Sequence, residues 1–214
     1  MTRRSLSADL MIYTACRAVL FVLALLPRAA GLRLGRVVGT LVYWAYPARR
    51  RIALGNIKRA YGATLDDRAR ARLARASFAH LGSICADAAY FPRLLREPTG
   101  RIAVHQGVEH LRAAMAGGRG ALVFSGHFGH WEMIGLLQPR LGIPFSMVVR
   151  PLENARIDGM LARLRREAGN TLIPKRDAAR GVLRALREKR AVALLIDQNV
   201  REGGLFVDFF GVPA

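Results

Sequence analysis

Cysteine is scarce in this sequence: there are two in 214 residues, Cys16 and Cys85, far apart and in apolar surroundings. With no CxxC pair and no histidine cluster beside them they exclude a disulfide framework or a zinc knuckle, and buried, reduced thiols are expected. Carboxylates are also in short supply. The chain has 15 Asp+Glu against 34 Lys+Arg, a formal net charge of +19, and only three of the basic residues are lysine (Lys58, Lys175, Lys189). It lacks an internal repeat and a low-complexity linker, and glycine shows no three-residue period, which excludes collagen-like structure. What is present is apolar. A hydrophobic share of 52% and a mean hydropathy of +0.16 exclude disorder, because that much apolar surface can bury a core. The length allows one domain with an appendage. A chain both apolar and basic points to an acidic, apolar partner, either a membrane surface or a substrate with a tail and phosphates. Nucleic acid is the competing class. Against it, no helix-turn-helix, zinc-finger or RRM-like pattern occurs, and the aromatics are not interleaved with basic residues in the C-terminal half.

Residues 10–27 contain a single charge, Arg17, and read as a helix close to membrane-spanning length. A cleaved signal peptide fits less well, because no small-residue cleavage site clearly follows Leu26 and a second apolar stretch begins at residue 32. That stretch ends in Tyr43, Trp44 and Tyr46, followed by Arg49, Arg50 and Arg51. Aromatics beside a basic cluster suit a headgroup-level anchor; the alternative is a core helix with a solvated basic end. Thr64-x-x-Asp67 reads as a capping box opening a long helix. From residue 101 the texture changes. Short apolar runs at 101–104, 121–124, 145–149, 171–173 and 191–196 alternate with amphipathic segments at 108–115, 131–138, 154–168 and 178–187. Strands alternating with helices predict an α/β fold with ligand chemistry at strand ends. The final run, Phe209 to Ala214, is apolar and uncapped, so a truncated C-terminus is expected.

The strongest local signal is Ser125-Gly-His-Phe-Gly-His-Trp-Glu132, which follows an apolar strand. His127 and Glu132 are five positions apart, about 500° of rotation on a continuous α-helix, so they meet only if the backbone between them turns irregularly. Gly126 and Gly129 supply that freedom. If they meet, Glu132 fixes the tautomer of His127 and leaves its other nitrogen free to take a proton from a hydroxyl. The Phe-Ser-Gly sequence lacks a Gly-x-Ser-x-Gly elbow, which weakens a serine-hydrolase reading. His127, His130 and Glu132 have partial zinc-ligand spacing but want a third firm ligand. Arg180, Arg184 and Arg187 share one helical face, either a solvated stripe or a dock for an acidic carrier or anionic lipid.

The His-x4-Glu after a strand resembles the signature of the lysophospholipid acyltransferase superfamily. The fuller Ser-Gly-His-Phe-Gly-His-Trp-Glu string is similar to the bacterial lipid A biosynthesis (lauroyl/myristoyl) acyltransferase family. Agreeing features are Asn56 after the arginine cluster, Val149-Arg-Pro-Leu-Glu-Asn154, Ile173-Pro-Lys175, Asp197-Gln198 and Gly204-Leu-Phe-Val-Asp-Phe-Phe-Gly211. His130 departs from it, standing where the family often has Asn. The resemblance implies an α/β domain with a mixed sheet flanked by helices, glycerolipid acyltransferase-like, over residues 49–214, preceded by membrane-associated helices over residues 1–48. It implies transfer of a fatty acyl group from acyl carrier protein or coenzyme A to a hydroxyl of a membrane glycolipid, without metal or bound cofactor, at the cytoplasmic face of the inner membrane. Lipid A biosynthesis is the leading setting. Alternatives are a phosphatidylinositol mannoside or other glycolipid acceptor, and a non-catalytic basic membrane-binding protein. By position, His127 is the expected base and Glu132 its partner, with Gly126 and Arg150 at the substrate. Asp197 is expected to hold Arg150, an inference made beside the resemblance, and an ordinary structural ion pair is the competing account of those two.

Overall fold

The computed structural model describes residues 6–198 and 204–213. In chain order the first elements are α1 (Leu6–Leu25), α2 (Arg28–Ala45), α3 (Pro47–Tyr61), α4 (Asp67–Asp87), α5 (Phe91–Leu94), α6 (Thr99–Ile102) and α7 (Val108–Ala116). There follow β1 (Ala121–Ser125), α8 (Trp131–Leu137), β2 (Phe145–Val149), α9 (Ala155–Glu167), β3 (Thr171–Pro174), α10 (Ala178–Arg187) and β4 (Ala191–Leu195). A short hairpin of β5 (Asp208–Phe209) and β6 (Val212–Pro213) comes last. By contacts the chain divides into two compact units, residues 1–17 with 92–198, and residues 18–91 with 199–214.

The first unit is an α/β layer structure, as the alternation of apolar runs predicts. Its four strands pair in the order β1-β4-β2-β3, all parallel, so the sheet is not mixed; the antiparallel pairing is confined to β5 and β6. Parallel strands need both faces covered. On one face Ile143, Phe145 and Ala191 pack with Val108, Leu111 and Met115 on and around α7. On the other, Ile173, Ala185 and Val192 pack with Val182 and Leu186 of α10. Residues 101–104 are a correction: they hold the end of the one-turn helix α6 and extended chain, not a strand. Pro98 immediately precedes this turn, and Arg101 N donates to its carbonyl.

The second unit is helical. Gly31, Gly35 and Gly39 bring α2 against α4, where added methyl groups would overlap the Tyr90 ring, the Gly82 carbonyl and the Phe78 carbonyl. The N-cap of α4 is Asp66, whose carboxylate accepts from Ala69 N at 2.6 Å. Thr64 lies instead in the preceding 3-10 turn, its hydroxyl donating to the Tyr61 carbonyl. A carboxylate at that position outcompetes the expected threonine cap two residues earlier. Arg28 donates twice to the buried Asp87, at 2.7 Å each.

Candidate active site

Register places the site. Because β1 and β4 are neighbouring parallel strands with Ser125 opposite Leu195, their carboxyl ends lie side by side. Ile196 N extends the pairing by donating to Ser125 O. His127 leaves β1 two residues past its end, and Asp197 leaves β4 two residues past its own. The carboxyl edge of an α/β sheet is where such folds collect ligand chemistry.

There the Asp197 carboxylate bridges two donors of one residue. Oδ2 accepts from the His127 backbone N–H at 2.6 Å, and Oδ1 lies 2.8 Å from its ring Nδ1. Gly126 makes the approach possible: a Cβ there would stand 2.9 Å from Asp197 Oδ2. An ionised carboxylate only accepts, so Nδ1 carries a proton, and in the neutral ring Nε2 holds the lone pair. The side-chain amide of Gln198 meets that Nε2 at 3.3 Å, consistent with the same tautomer. Trp131 packs its ring edge-on against the imidazole, centroids 5.2 Å apart. Burial works to raise the pKa of Asp197, but the side-chain and backbone hydrogen bonds from His127 outweigh it and hold the carboxyl below its ordinary value. The imidazole is 31% exposed and the carboxylate 42%, so the pair is open to a substrate.

Glu132 is elsewhere engaged, which corrects its expected pairing with His127. It sits in the first turn of α8, where its charge suits the helix dipole. Both its oxygens receive Arg165 of α9, Nε at 2.7 Å and Nη2 at 2.8 Å. The side chains are 14% and 17% exposed. Burial pulls the Arg165 pKa down, yet the bonds to Glu132 and the nearby Asp158 carry it above its usual value. The backbone explains the divergence. Gly129 adopts φ +57° between the two residues, His130 caps α8 by accepting from Met133 N, and the helix then turns Glu132 towards α9.

Arg150 follows the last residue of β2, on the same carboxyl edge, and is exposed without a hydrogen bond or ion pair to a described residue. The expected Arg150–Asp197 pair does not form; Asp197 engages His127 instead. Among the described residues no three His, Cys, Asp or Glu side chains converge as metal ligands. The site thus brings together His127, Asp197 and Gly126 of the expected residues, and adds Gln198 and Trp131. Glu132 goes to a separate pair with Arg165.

Residues 2–214 match the family described as bacterial lipid A biosynthesis acyltransferase. The chain belongs to that family. Among curated relatives it is similar to a phosphatidylinositol mannoside acyltransferase of Mycobacterium tuberculosis, 30% identical over 111 residues, which is 50% of this chain and 35% of the relative. The enzyme of the same description from Mycolicibacterium smegmatis is 28% identical over 108 residues, 49% of this chain and 36% of that one. The matched stretch therefore spans about a third of each relative. Sequence reading had placed His127, Gly126 and Asp197 at strand ends but missed Arg165, which nothing local distinguishes from Arg163 and Arg166 in the same basic helix.

Proposed function

We propose that this chain transfers a fatty acyl group from a thioester donor, acyl carrier protein or coenzyme A, to a hydroxyl of a membrane glycolipid. The observation that carries the reading is the Asp197-held His127, with a lone pair on Nε2 directed away from the carboxylate. In the first step the acceptor hydroxyl displaces the Gln198 amide and gives its proton to Nε2 as its oxygen attacks the thioester carbonyl. The tetrahedral intermediate then expels the thiolate, which takes the proton back from the imidazolium. Products are an ester and a free thiol. Asp197 keeps the ring in the Nδ1–H tautomer and stabilises the transient imidazolium without itself being protonated, the role of the carboxylate in a serine-protease triad. Arg150, a cation on the same edge with no ion pair among the described residues, is assigned to the oxyanion or to an acidic group of the substrate. Glu132 and Arg165 lock α8 against α9, which fixes the base of the turn that carries His127.

The family description supports a lipid A precursor as acceptor. The named activity of the relatives favours a second reading, a phosphatidylinositol mannoside or similar glycolipid. Membrane association is supported by α1, 20 residues with a mean hydropathy of 1.8 and almost no buried surface. Thioester donors of this kind are cytosolic, which supports the cytoplasmic face. The test is acyl transfer by the purified protein with defined donor and acceptor. His127→Ala should slow ester formation by about 10²–10⁴ while leaving membrane attachment intact; transfer at near-normal rate by that variant contradicts the reading, and absence of transfer by the parent would point to a non-catalytic membrane-binding protein.

A further inference from the structure

We infer that the helical unit carries its own docking surface for an anionic phospholipid bilayer, built from the outer face of α2 and an arginine-lined groove between α2 and α4. This rests on observations separate from the catalytic reading.

The groove has a volume of about 290 Å³ and is lined by Tyr43 and Trp44 of α2 with Arg68, Ala71, Arg72 and Arg75 of α4. The three arginines recur at i, i+4 and i+7, so they project from one face of α4. All three are exposed. Among the described residues no carboxylate lines the groove, and none of the three arginines makes a hydrogen bond or ion pair with a described residue. Two other arginines of this unit are held by carboxylates: Arg28 by Asp87, and Arg70, between Arg68 and Arg72, by Asp67, with a further bond to the Leu65 carbonyl. A fourth cation, Arg50, lies over the Tyr43 and Trp44 rings at 5.5 and 5.7 Å from their centroids. Like charges gathered without a counter-charge fit an anion, and the guanidinium fork matches the paired oxygens of a phosphodiester.

What makes that anion a lipid is the neighbouring surface. The glycine side of α2 is filled by α4. A different side presents Leu34, Val37, Val38, Leu41 and Trp44, each between 45% and 60% exposed, at the i, i+3, i+4, i+7 and i+10 positions of one stripe. The stripe ends at Trp44, where the groove begins. Apolar residues leading to an amphipathic ring and then to arginines reproduce the order acyl chain, interface, headgroup met on leaving a bilayer. An acidic protein or a nucleic acid would satisfy the arginines and leave the stripe in water.

The experiment is vesicle co-sedimentation of the full chain. Changing Arg68→Gln, Arg72→Gln and Arg75→Gln together should weaken binding to mixed phosphatidylglycerol and phosphatidylcholine vesicles on the order of tenfold to a hundredfold. Binding to pure phosphatidylcholine vesicles should stay the same. The equal-charge control, Arg119→Gln, Arg166→Gln and Arg176→Gln together, all exposed and outside the groove, should leave both unchanged; an equal loss there would mean bulk charge alone is read and would overturn the proposal. Retained affinity in the groove variant overturns it too. So does loss of duplex oligonucleotide binding with vesicle binding intact, which would make the groove a nucleic-acid site. With Trp131→Phe in place, Trp44 fluorescence should be quenched by brominated lipids, and absence of quenching contradicts the assigned depth of α2.

Discussion

Two carboxylate-bearing pairs begin within one eight-residue stretch of chain and differ in almost every physical respect. Glu132 and Arg165 are largely buried, doubly bonded and mutually saturated. His127 and Asp197 are partly exposed, and the pair is left unsaturated at Nε2 apart from a long contact to Gln198. A saturated buried pair has no capacity for a reactant and acts by fixing helices. An exposed pair with one free lone pair contributes little to stability but can move a proton. On the proposed mechanism the His-x4-Glu spacing contains one chemical residue and one architectural residue, and the carboxylate beside the histidine lies 70 residues away, just past the end of β4.

The contrast can be broken experimentally, beginning with the largest effect. His127→Ala should cost about 10²–10⁴ in kcat, read by acyl-transfer assay, with thermal stability near that of the parent. Glu132→Ala should do the reverse in kind: removing one partner of a buried ion pair costs about 3–5 kcal/mol, read by denaturant unfolding. Replacing the pair as a whole, Glu132→Leu with Arg165→Met, should recover most of that loss, which a proton-transferring carboxylate would not permit. Gly126→Ala should lower kcat by on the order of 10² through displacement of the Asp197 carboxylate, with a much smaller effect on folding. Arg150→Lys should be milder, a severalfold loss, since the charge remains while the guanidinium fork goes.

The smallest effect is in acid. The pKa of Asp197 is depressed in the folded protein. Its pairing therefore stabilises fully above the unfolded carboxyl value, about 3.9, and that contribution disappears as pH falls through the lower folded value. Melting temperatures of the parent and Asp197→Asn should differ at neutral pH by at most about 2–4 °C and converge in strong acid. A gap that persists there would mean that something other than the charge of Asp197 is lost.

Much of the α/β unit was legible because parallel strands, buried on both faces, read as short apolar runs bounded by amphipathic helices. Residues 101–104 failed that test because apolarity alone does not separate a four-residue strand from a helical turn after proline. The cap of α4 failed because two acceptors, Thr64 and Asp66, compete within three residues. At the site, position was legible and pairing was not. His127 and Asp197 were each placed at a strand end, but strand order determines which ends are neighbours, and β4 enters beside β1 only in the folded sheet. Arg165 was invisible for another reason: helix rotation buries it while Arg163, two residues earlier, is left outside with Glu167.

The central claim is that Asp197, rather than Glu132, works through His127. A double-mutant cycle on acyl-transfer kcat tests it directly, using His127→Ala, Asp197→Asn and their combination. If the two act as one unit, the double variant will be no slower than His127→Ala alone. Losses that multiply in that cycle, with non-additivity between His127→Ala and Glu132→Gln instead, would contradict the account.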